Sequence, residues 1–180
     1  KVSADEKEIL ESDALILPGV GAFAACVANL RARHLDTILH DAVLGQGLPI
    51  LGICVGMQLM ATISEENGTH AGLGWIPGRV VRLAPPGGKA VPHVGWNDLT
   101  INAGSTLFAR TPEQPNFYFD HSYEYICDDA DDAIAHCVYG KPVVAAVSRG
   151  KIFGVQFHPE KSQVTGLKLF RSFFNMVSEC

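Results

Sequence analysis

The chain has 180 residues, of which 47% are hydrophobic, and this is enough for a compact domain with a sizeable buried core. Its 14 Lys and Arg against 19 Asp and Glu give a net charge of −5, which argues against binding to nucleic acid or to a membrane surface. No apolar stretch approaches the roughly 20 residues that cross a bilayer, and the charged start lacks the pattern of a signal peptide.

The cysteines indicate free thiols. They number five and form no CxxC motif, so the sequence suggests neither a disulfide framework nor a zinc site. They are Cys26, Cys54, Cys127, Cys137 and Cys180. Free thiols fit a reducing compartment, and we therefore expect a cytoplasmic protein without a bound metal.

The first half of the sequence alternates strands and helices. Short apolar runs at residues 14–17 and 49–53 predict buried strands, the first of which ends at Pro-Gly. Apolar residues at helical spacing predict helices at 21–33, 35–44 and 57–63. This order favours an α/β fold.

The second half is rich in strands. We predict them at residues 80–83, 97–101, 117–119, 133–139, 143–148 and 152–157. Residues 166–177 predict a final amphipathic helix, whose apolar face would carry Leu167, Phe170, Phe174 and Val177. No repeat or long linker divides the chain, so we expect one domain over residues 1–180. Its architecture would have three layers, with a mainly parallel central sheet, flanking helices and additional antiparallel strands.

A candidate nucleophile follows the predicted strand 49–53. Gly52 and Gly56 flank Cys54 in a Gly-x-Cys-x-Gly pattern between a strand and a helix, which is the context of a nucleophile elbow. The sharp turn needs small neighbours, and a sulfur at a helix N-terminus is favoured as thiolate. The N–H of Val55 can face a developing oxyanion. The alternative is that Cys54 is a small residue of the core.

A candidate base and its orienting carboxylate follow the strand 152–157. His158 and Glu160 are two residues apart, so they point the same way, and Pro159 between them stiffens the turn. A carboxylate so placed can hold an imidazole in one tautomer. Taken alone, this could be a surface turn. Because active sites of open α/β sheets lie at the carboxyl ends of strands, Cys54 and His158 can converge.

A glycine turn at residues 18–21 follows the first predicted strand. Residues 19–24 match Gly-x-Gly-x-x-Ala, the dinucleotide-binding pattern, but the acidic Asp41 falls in a predicted helix instead of ending a strand. We favour a second backbone N–H donor for an oxyanion hole, because glycine lets the chain approach a substrate closely. A plain tight turn is the alternative.

Several of these motifs together resemble the class I, triad-type glutamine amidotransferases. They are LPGVGAF at 17–23, LGICVGMQL at 51–59 and QFHPEKS at 156–162. Three further segments are similar to the glutaminase subunits of imidazole glycerol phosphate synthase, which act in histidine biosynthesis. They are GLGWIPG at 72–78, PHVGWN at 92–97 and YFDHSY at 118–123.

The resemblance implies a role for each matching residue. The catalytic triad would be Cys54, His158 and Glu160, and the oxyanion hole Gly19, Val20 and Val55. The α-amino and α-carboxylate groups of glutamine would be bound by Gly21, Gln58, Glu66, Ser122 and Tyr123. The surface facing the synthase partner, a (β/α)₈ barrel that receives ammonia through a tunnel, would carry Pro92, His93, Trp96 and Lys161. Four of these have other interpretations: Gln58 could bond locally, Glu66 could be solvated, and Trp96 and Tyr123 could belong to the core.

The implied chemistry is hydrolysis of the glutamine side-chain amide. The thiolate attacks the amide carbon, the histidine protonates the leaving ammonia, and water then hydrolyses the thioester to release glutamate. This chemistry requires no metal or organic cofactor.

The sequence departs from the family in two places. The family has a strand and a helix ahead of the point that matches Val2, and we expect them to be absent from the sequence as given. Asp120 replaces an apolar residue and adds a charge near the expected glutamine pocket. Three alternatives stay open: an amidotransferase that feeds a different synthase, such as one that amidates surface sugars; a thiol hydrolase without a partner; and a binding module without activity.

Overall fold

The computed structural model describes residues 1–178. The α-helices are α1 (Glu6–Leu10), α2 (Phe23–Ala32), α3 (Leu35–His40, continued by a π-helical turn at Asp41–Gly45), α4 (Val55–Gln58) and α5 (Gln163–Ser178). The strands of the first half are β1 (Leu15–Gly19), β2 (Ile50–Cys54), β3 (Ile63–Ser64), β4 (His70–Ala71) and β5 (Gly78–Arg82). Those of the second half are β6 (His93–Ile101), β7 (Asn116–His121), β8 (Tyr123–Cys127), β9 (Ala133–Val138), β10 (Pro142–Arg149) and β11 (Ile152–Val155).

The central sheet has seven strands in the order β1-β2-β11-β10-β9-β6-β7. Strand β2 pairs in parallel with β1 on one side and with β11 on the other. In this register Gly19 lies opposite Cys54, and Val155 lies opposite Ile53. The carboxyl ends of three adjacent strands therefore meet at one edge of the sheet, and the predicted α/β class is confirmed.

The parallel part of this sheet is smaller than the sequence predicted. The pairs β10–β11, β9–β10, β6–β9 and β6–β7 are antiparallel. The connections explain the difference, because a parallel pair needs a crossover of a dozen or more residues. Only Gly150 and Lys151 lie between β10 and β11, and residues 139–141 join β9 to β10, so these strands form hairpins.

A second, four-stranded sheet has the order β4-β3-β5-β8. The sequence did not predict α1, β3, β4 or β8, and the helix predicted at 57–63 is earlier and shorter, at Val55–Gln58. Helix α4 ends at Gln58 because a returning segment uses the next carbonyl groups: Leu73 N–H donates to Leu59 O at 2.8 Å, and Trp75 N–H donates to Met60 O at 2.9 Å. Those carbonyls are no longer free to continue the helix.

The core lies on both faces of the central sheet. One cluster contains Leu51 and Ile53 of β2 with residues of α2 and α5, and the other contains Ile50 with residues of α1, α3 and the small sheet. Within residues 1–178, none of the helices has the length and apolar character needed to cross a membrane.

The apolar face of α5 differs from the predicted one. Leu169 and Phe173 are fully buried, whereas Leu167 is 58% and Phe174 48% exposed. Gly166 sets this rotation, because a Cβ there would overlap the backbone of Pro159. The side of the helix that carries Gly166 must face the protein, and Leu169 and Phe173 follow it at helical spacing.

Candidate active site

Cys54 ends β2 and directly precedes α4. Its backbone has φ 54° and ψ −110°, a conformation that side-chain-bearing residues rarely adopt. Such strain persists only where the surroundings hold it, and it clusters at functional sites. The strand–turn–helix geometry that the sequence predicted around Cys54 is therefore present.

Glycines make this turn possible by allowing backbones to touch. A Cβ on Gly52 would lie 2.7 Å from the carbonyl carbon of Gly56. A Cβ on Gly56 would overlap the carbonyl oxygen of Leu17, and one on Gly19 would lie 2.8 Å from the backbone nitrogen of Gly56. The end of β1, including Gly19, is thus packed directly against the turn that carries Cys54.

The Cys54 sulfur is buried and has polar neighbours. Burial raises the pKa of the Cys54 thiol to about 11, and the backbone N–H of Val55 opposes that shift by hydrogen bonding to the sulfur. The sulfur lies 3.9 Å from the carbonyl oxygen of Asp120, and the side-chain N–H of Gln156 points at it from 3.7 Å. A buried thiol needs N–H donors, such as those of Val55 and Gln156, if it is to ionise.

Hydrogen bonds fix both the ring and the backbone of His158. Its Nδ1 lies 2.7 Å from Oε1 of Glu160, and its carbonyl oxygen accepts a hydrogen bond from Ser162 Oγ at 2.6 Å. Because a carboxylate accepts, Nδ1 carries the proton and Nε2 is left as the basic nitrogen. Among the hydrogen bonds of residues 1–178, none joins this ring to the Cys54 sulfur. Such bonds often tighten only when substrate is bound.

Both side chains line one cavity of about 320 Å³ at the carboxyl ends of the parallel strands. The lining residues are Val20, Gly21, Cys54, Val55, Gln58, Glu66, Pro92, Asp120, His121, Ser122, Tyr123, His158 and Lys161. The cavity thus contains every predicted site residue except Gly19, Glu160, His93 and Trp96. Gly19 lies beneath it in β1, and the half-exposed Glu160 contacts His158.

Two side chains that line the cavity form hydrogen bonds with other residues of the chain. Glu66 accepts a hydrogen bond at 2.8 Å from the N–H of Phe23, the first residue of α2, so this carboxylate is fixed at a helix N-terminus. Gln58 is buried, and its Nε2 donates to the carbonyl oxygen of Tyr123 at 3.3 Å and to Oε1 of Gln156 at 3.0 Å.

The residues predicted to face a partner have different exposures. Trp96 is 47% exposed and packs edge-on against Tyr118, and Lys161 Nζ lies 5.6 Å from the centre of the Tyr118 ring. His93 is only 3% exposed, and its ring stacks between Phe119 and Tyr139. A partner on this surface would therefore not meet the His93 ring.

Sequence reasoning missed a pair of buried histidines beside the cavity. Asn97 Nδ2 lies 3.2 Å from His93 Nε2, and His93 Nδ1 lies 2.9 Å from His121 Nε2. His121 Nδ1 in turn lies 2.8 Å from the carbonyl oxygen of Tyr123. Since the amide N–H donates and the carbonyl accepts, both rings are neutral with the proton on Nδ1. Burial accordingly lowers the pKa of each to about 4.

We expect this pair to make the fold sensitive to acid. The unfolded chain binds protons near pH 6.5, whereas the folded pair binds them near pH 4, so stability falls as the pH drops through this interval. One pKa unit corresponds to about 1.4 kcal/mol, and protonating one of these rings therefore costs roughly 3 kcal/mol. Urea unfolding at several pH values measures the loss.

A double variant separates the effect of the two histidines on the pH dependence of stability from the effect of the carboxylates. His93→Gln with His121→Gln should lose less stability than the wild type between pH 6.5 and 4, while His40→Gln, at an exposed position, should follow the wild type. Equal slopes for the wild type and the double variant would contradict the assignment of neutral rings.

The sequence patterns assign no role to three residues near Cys54 or the cavity. The sequence predicts Asp120 only as an additional charge near the pocket, and His121 and Gln156 lie within the matching motifs at positions for which the resemblance implies no function. Gln156 directly precedes Phe157 and His158, so its position was visible, but its contact with Cys54 depends on how β11 aligns with β2.

Comparison with known proteins identifies relatives that match nearly all of the chain. The family model "Glutamine amidotransferase class-I" matches residues 1–177. The chain is 45% identical over 174 residues to the imidazole glycerol phosphate synthase subunit HisH of Ruegeria pomeroyi, covering 96% of this chain and 82% of that one. It is 47% identical over 177 residues to HisH of Zymomonas mobilis, covering 97% and 81%. A solved structure described as a glutamine amidotransferase superposes with a TM-score of 0.74 at 20% identity, covering 99% and 86%, and supports the fold.

Proposed function

The chain belongs to the class I glutamine amidotransferases, and from this membership we propose that it is the glutaminase subunit of an imidazole glycerol phosphate synthase. It would hydrolyse glutamine through a thioester on Cys54 and pass the ammonia to a synthase partner in histidine biosynthesis. The observation that carries the proposal is the strained turn of Cys54, which opens into the same cavity as His158, with Glu160 bonded to that histidine.

The triad residues have distinct tasks in this proposal. His158 Nε2 takes the proton of the Cys54 thiol, and Glu160 stabilises the resulting imidazolium. The sulfur attacks the amide carbon of glutamine, and the carbonyl oxygen becomes an oxyanion. The Val55 N–H and a donor from the Gly19–Val20 peptide bind that oxyanion, and one such donor is worth about 3 kcal/mol of barrier.

The same histidine completes the reaction. His158 returns its proton to the leaving nitrogen, the C–N bond breaks and ammonia departs. Water then loses a proton to His158 and attacks the thioester, and the C–S bond breaks to give glutamate and the free thiol. Every proton moves through one imidazole, which is why its tautomer must be fixed.

The polar groups in the cavity suggest how glutamine is oriented. Both N–H groups of Gln58 are used by Tyr123 O and Gln156 Oε1, so its own oxygen is the group left for a ligand. That oxygen and the Glu66 carboxylate are acceptors and suit the α-ammonium of glutamine. The Ser122–Tyr123 segment, on the same cavity, suits the α-carboxylate.

We propose that the partner is a (β/α)₈ barrel that covers the surface formed by Trp96, Tyr118 and Lys161. Trp96 is a half-exposed aromatic residue, and such residues often anchor interfaces. Lys161 lies on this surface and also lines the cavity. A partner bound here would cover the cavity edge, so ammonia could pass to it without escaping into solvent. A change in the Gly19–Val20 peptide on binding would couple the two activities.

The experiment that tests this function combines the chain with a purified cyclase subunit. We expect glutamate release from glutamine to increase roughly tenfold or more with the cyclase present, and imidazole glycerol phosphate to form from glutamine without added ammonium salt. Trp96→Ala should weaken the stimulation, whereas Leu167→Ala, on the exposed side of α5, should not. A full hydrolysis rate without the cyclase, or product that requires ammonium salt, would contradict the proposal.

A further inference from the structure

Gln156 is a polar side chain with no exposed surface, placed where the core would favour an apolar residue. It directly follows β11 and precedes the fully buried Phe157. A buried amide without partners destabilises a protein, so its hydrogen bonds indicate why it is present. Its Oε1 accepts from Gln58 at 3.0 Å, and its Nε2 points at the Cys54 sulfur from 3.7 Å.

The strand register brings Gln156 to the nucleophile. Val155 is paired with Ile53 in the parallel ladder between β11 and β2. Gln156 directly follows β11 and Cys54 is the last residue of β2, so the two residues lie side by side just beyond the last pair of the ladder. Their contact is therefore fixed by the backbone of the sheet.

The hydrogen-bond network also fixes which end of the amide faces the sulfur. The carbonyl oxygen of Tyr123 can only accept, so it orients the Nε2 of Gln58. The second N–H of Gln58 then requires an acceptor, and Oε1 of Gln156 fills that position. The remaining end of the Gln156 amide, Nε2, is left toward Cys54.

We propose that Gln156 stabilises the thiolate of Cys54 by donating a hydrogen bond to its sulfur, with Gln58 and the Tyr123 carbonyl holding the amide in the donating orientation. This extends the proposed function, because it assigns a further group to the nucleophile on which that function depends. The surroundings create the need for a further donor: burial, Asp120 and Glu160 disfavour the anion, and the Val55 N–H and Lys161 oppose them without bringing the pKa of the thiol down to its ordinary value.

A titration of the thiolate tests the role without glutamine. The ultraviolet absorbance of the thiolate is followed against pH in each protein, and the curve of the same protein carrying Cys54→Ala is subtracted to remove the other cysteines. Gln156→Met keeps the length of the side chain but removes its donor, and we expect the midpoint to rise by about one pH unit, a tenfold smaller thiolate fraction at neutral pH. Gln114→Met, the same change at an exposed position, should leave the midpoint unchanged.

A second variant tests the orienting network. Gln58→Met removes the anchor of the amide without adding a charge, and the midpoint should rise by a smaller amount. An unchanged midpoint in either folded variant overturns the proposal, and Gln58→Met decides alone if Gln156→Met does not fold. The titration needs no substrate, so an unchanged midpoint would leave the proposed glutaminase function intact. A chain that does not hydrolyse glutamine but shows the shifted midpoint would contradict only the proposed function.

Discussion

Cys54→Ala is expected to abolish glutamine hydrolysis, lowering kcat by at least about ten-thousandfold. The sulfur is the group that forms the thioester in the proposed mechanism, and no other side chain on the cavity can replace it: Ser122 belongs to the segment proposed to bind the carboxylate. The measurement is glutamate release in the presence of the cyclase.

The same substitution should leave the fold unchanged. Alanine keeps the Cβ of cysteine, so the strain of the positive φ at position 54 is the same in both proteins. Cys127→Ala, at a half-buried thiol in β8, is the matched control and should keep full activity. Substantial glutaminase activity in a pure Cys54→Ala protein would show that the nucleophile lies elsewhere.

Gly56→Ala is expected to be strongly destabilising. The new methyl group would overlap the carbonyl oxygen of Leu17, and both partners belong to rigid backbone, α4 on one side and β1 on the other. Neither can yield as a flexible side chain would, so we expect a loss of at least about 3 kcal/mol in the free energy of unfolding. Urea denaturation of the purified variant gives this number.

The matched control for this prediction is Gly45→Ala. A Cβ at position 45 meets nothing within 4 Å, and the π-helical turn at Asp41–Gly45 accepts a side chain. Its stability should equal that of the wild type or exceed it slightly, because alanine restricts the unfolded chain. If both variants unfolded at the same urea concentration, the close packing of α4 on β1 would not be essential to the fold.

The local part of the site could be predicted from the sequence. Gly52, Cys54 and Gly56 indicate a strained turn because their spacing has a steric reason, and the structure has that turn. Side chains at positions i and i+2 of an extended chain lie on the same side, so His158 and Glu160 indicate an imidazole oriented by a carboxylate. The structure has this contact, with 2.7 Å between His158 Nδ1 and Glu160 Oε1. Each prediction required only residues that are close in the sequence.

The distant part could not be predicted in this way. Gln156 contacts Cys54 through the alignment of β11 with β2, and His93 contacts His121 through the pairing of β6 with β7. Nothing local to either residue encodes that alignment. The short α4 is a similar case, because the segment that ends it lies at Leu73 and Trp75.

The two catalytic strands also have a consequence for how the protein tolerates change. Strands β2 and β11 are adjacent in a hydrogen-bonded ladder, so the spacing of about 4.8 Å between neighbouring strands separates the end of β2, which carries Cys54, from the end of β11, three residues before His158. That spacing is a property of the main chain and is the same for any sequence that folds into the sheet. Volume-conserving substitutions at Leu51, Ile53 or Val155 can therefore accumulate while the distance between nucleophile and base is preserved. The composition of the core can therefore diverge over evolutionary time while the reaction geometry above it stays the same.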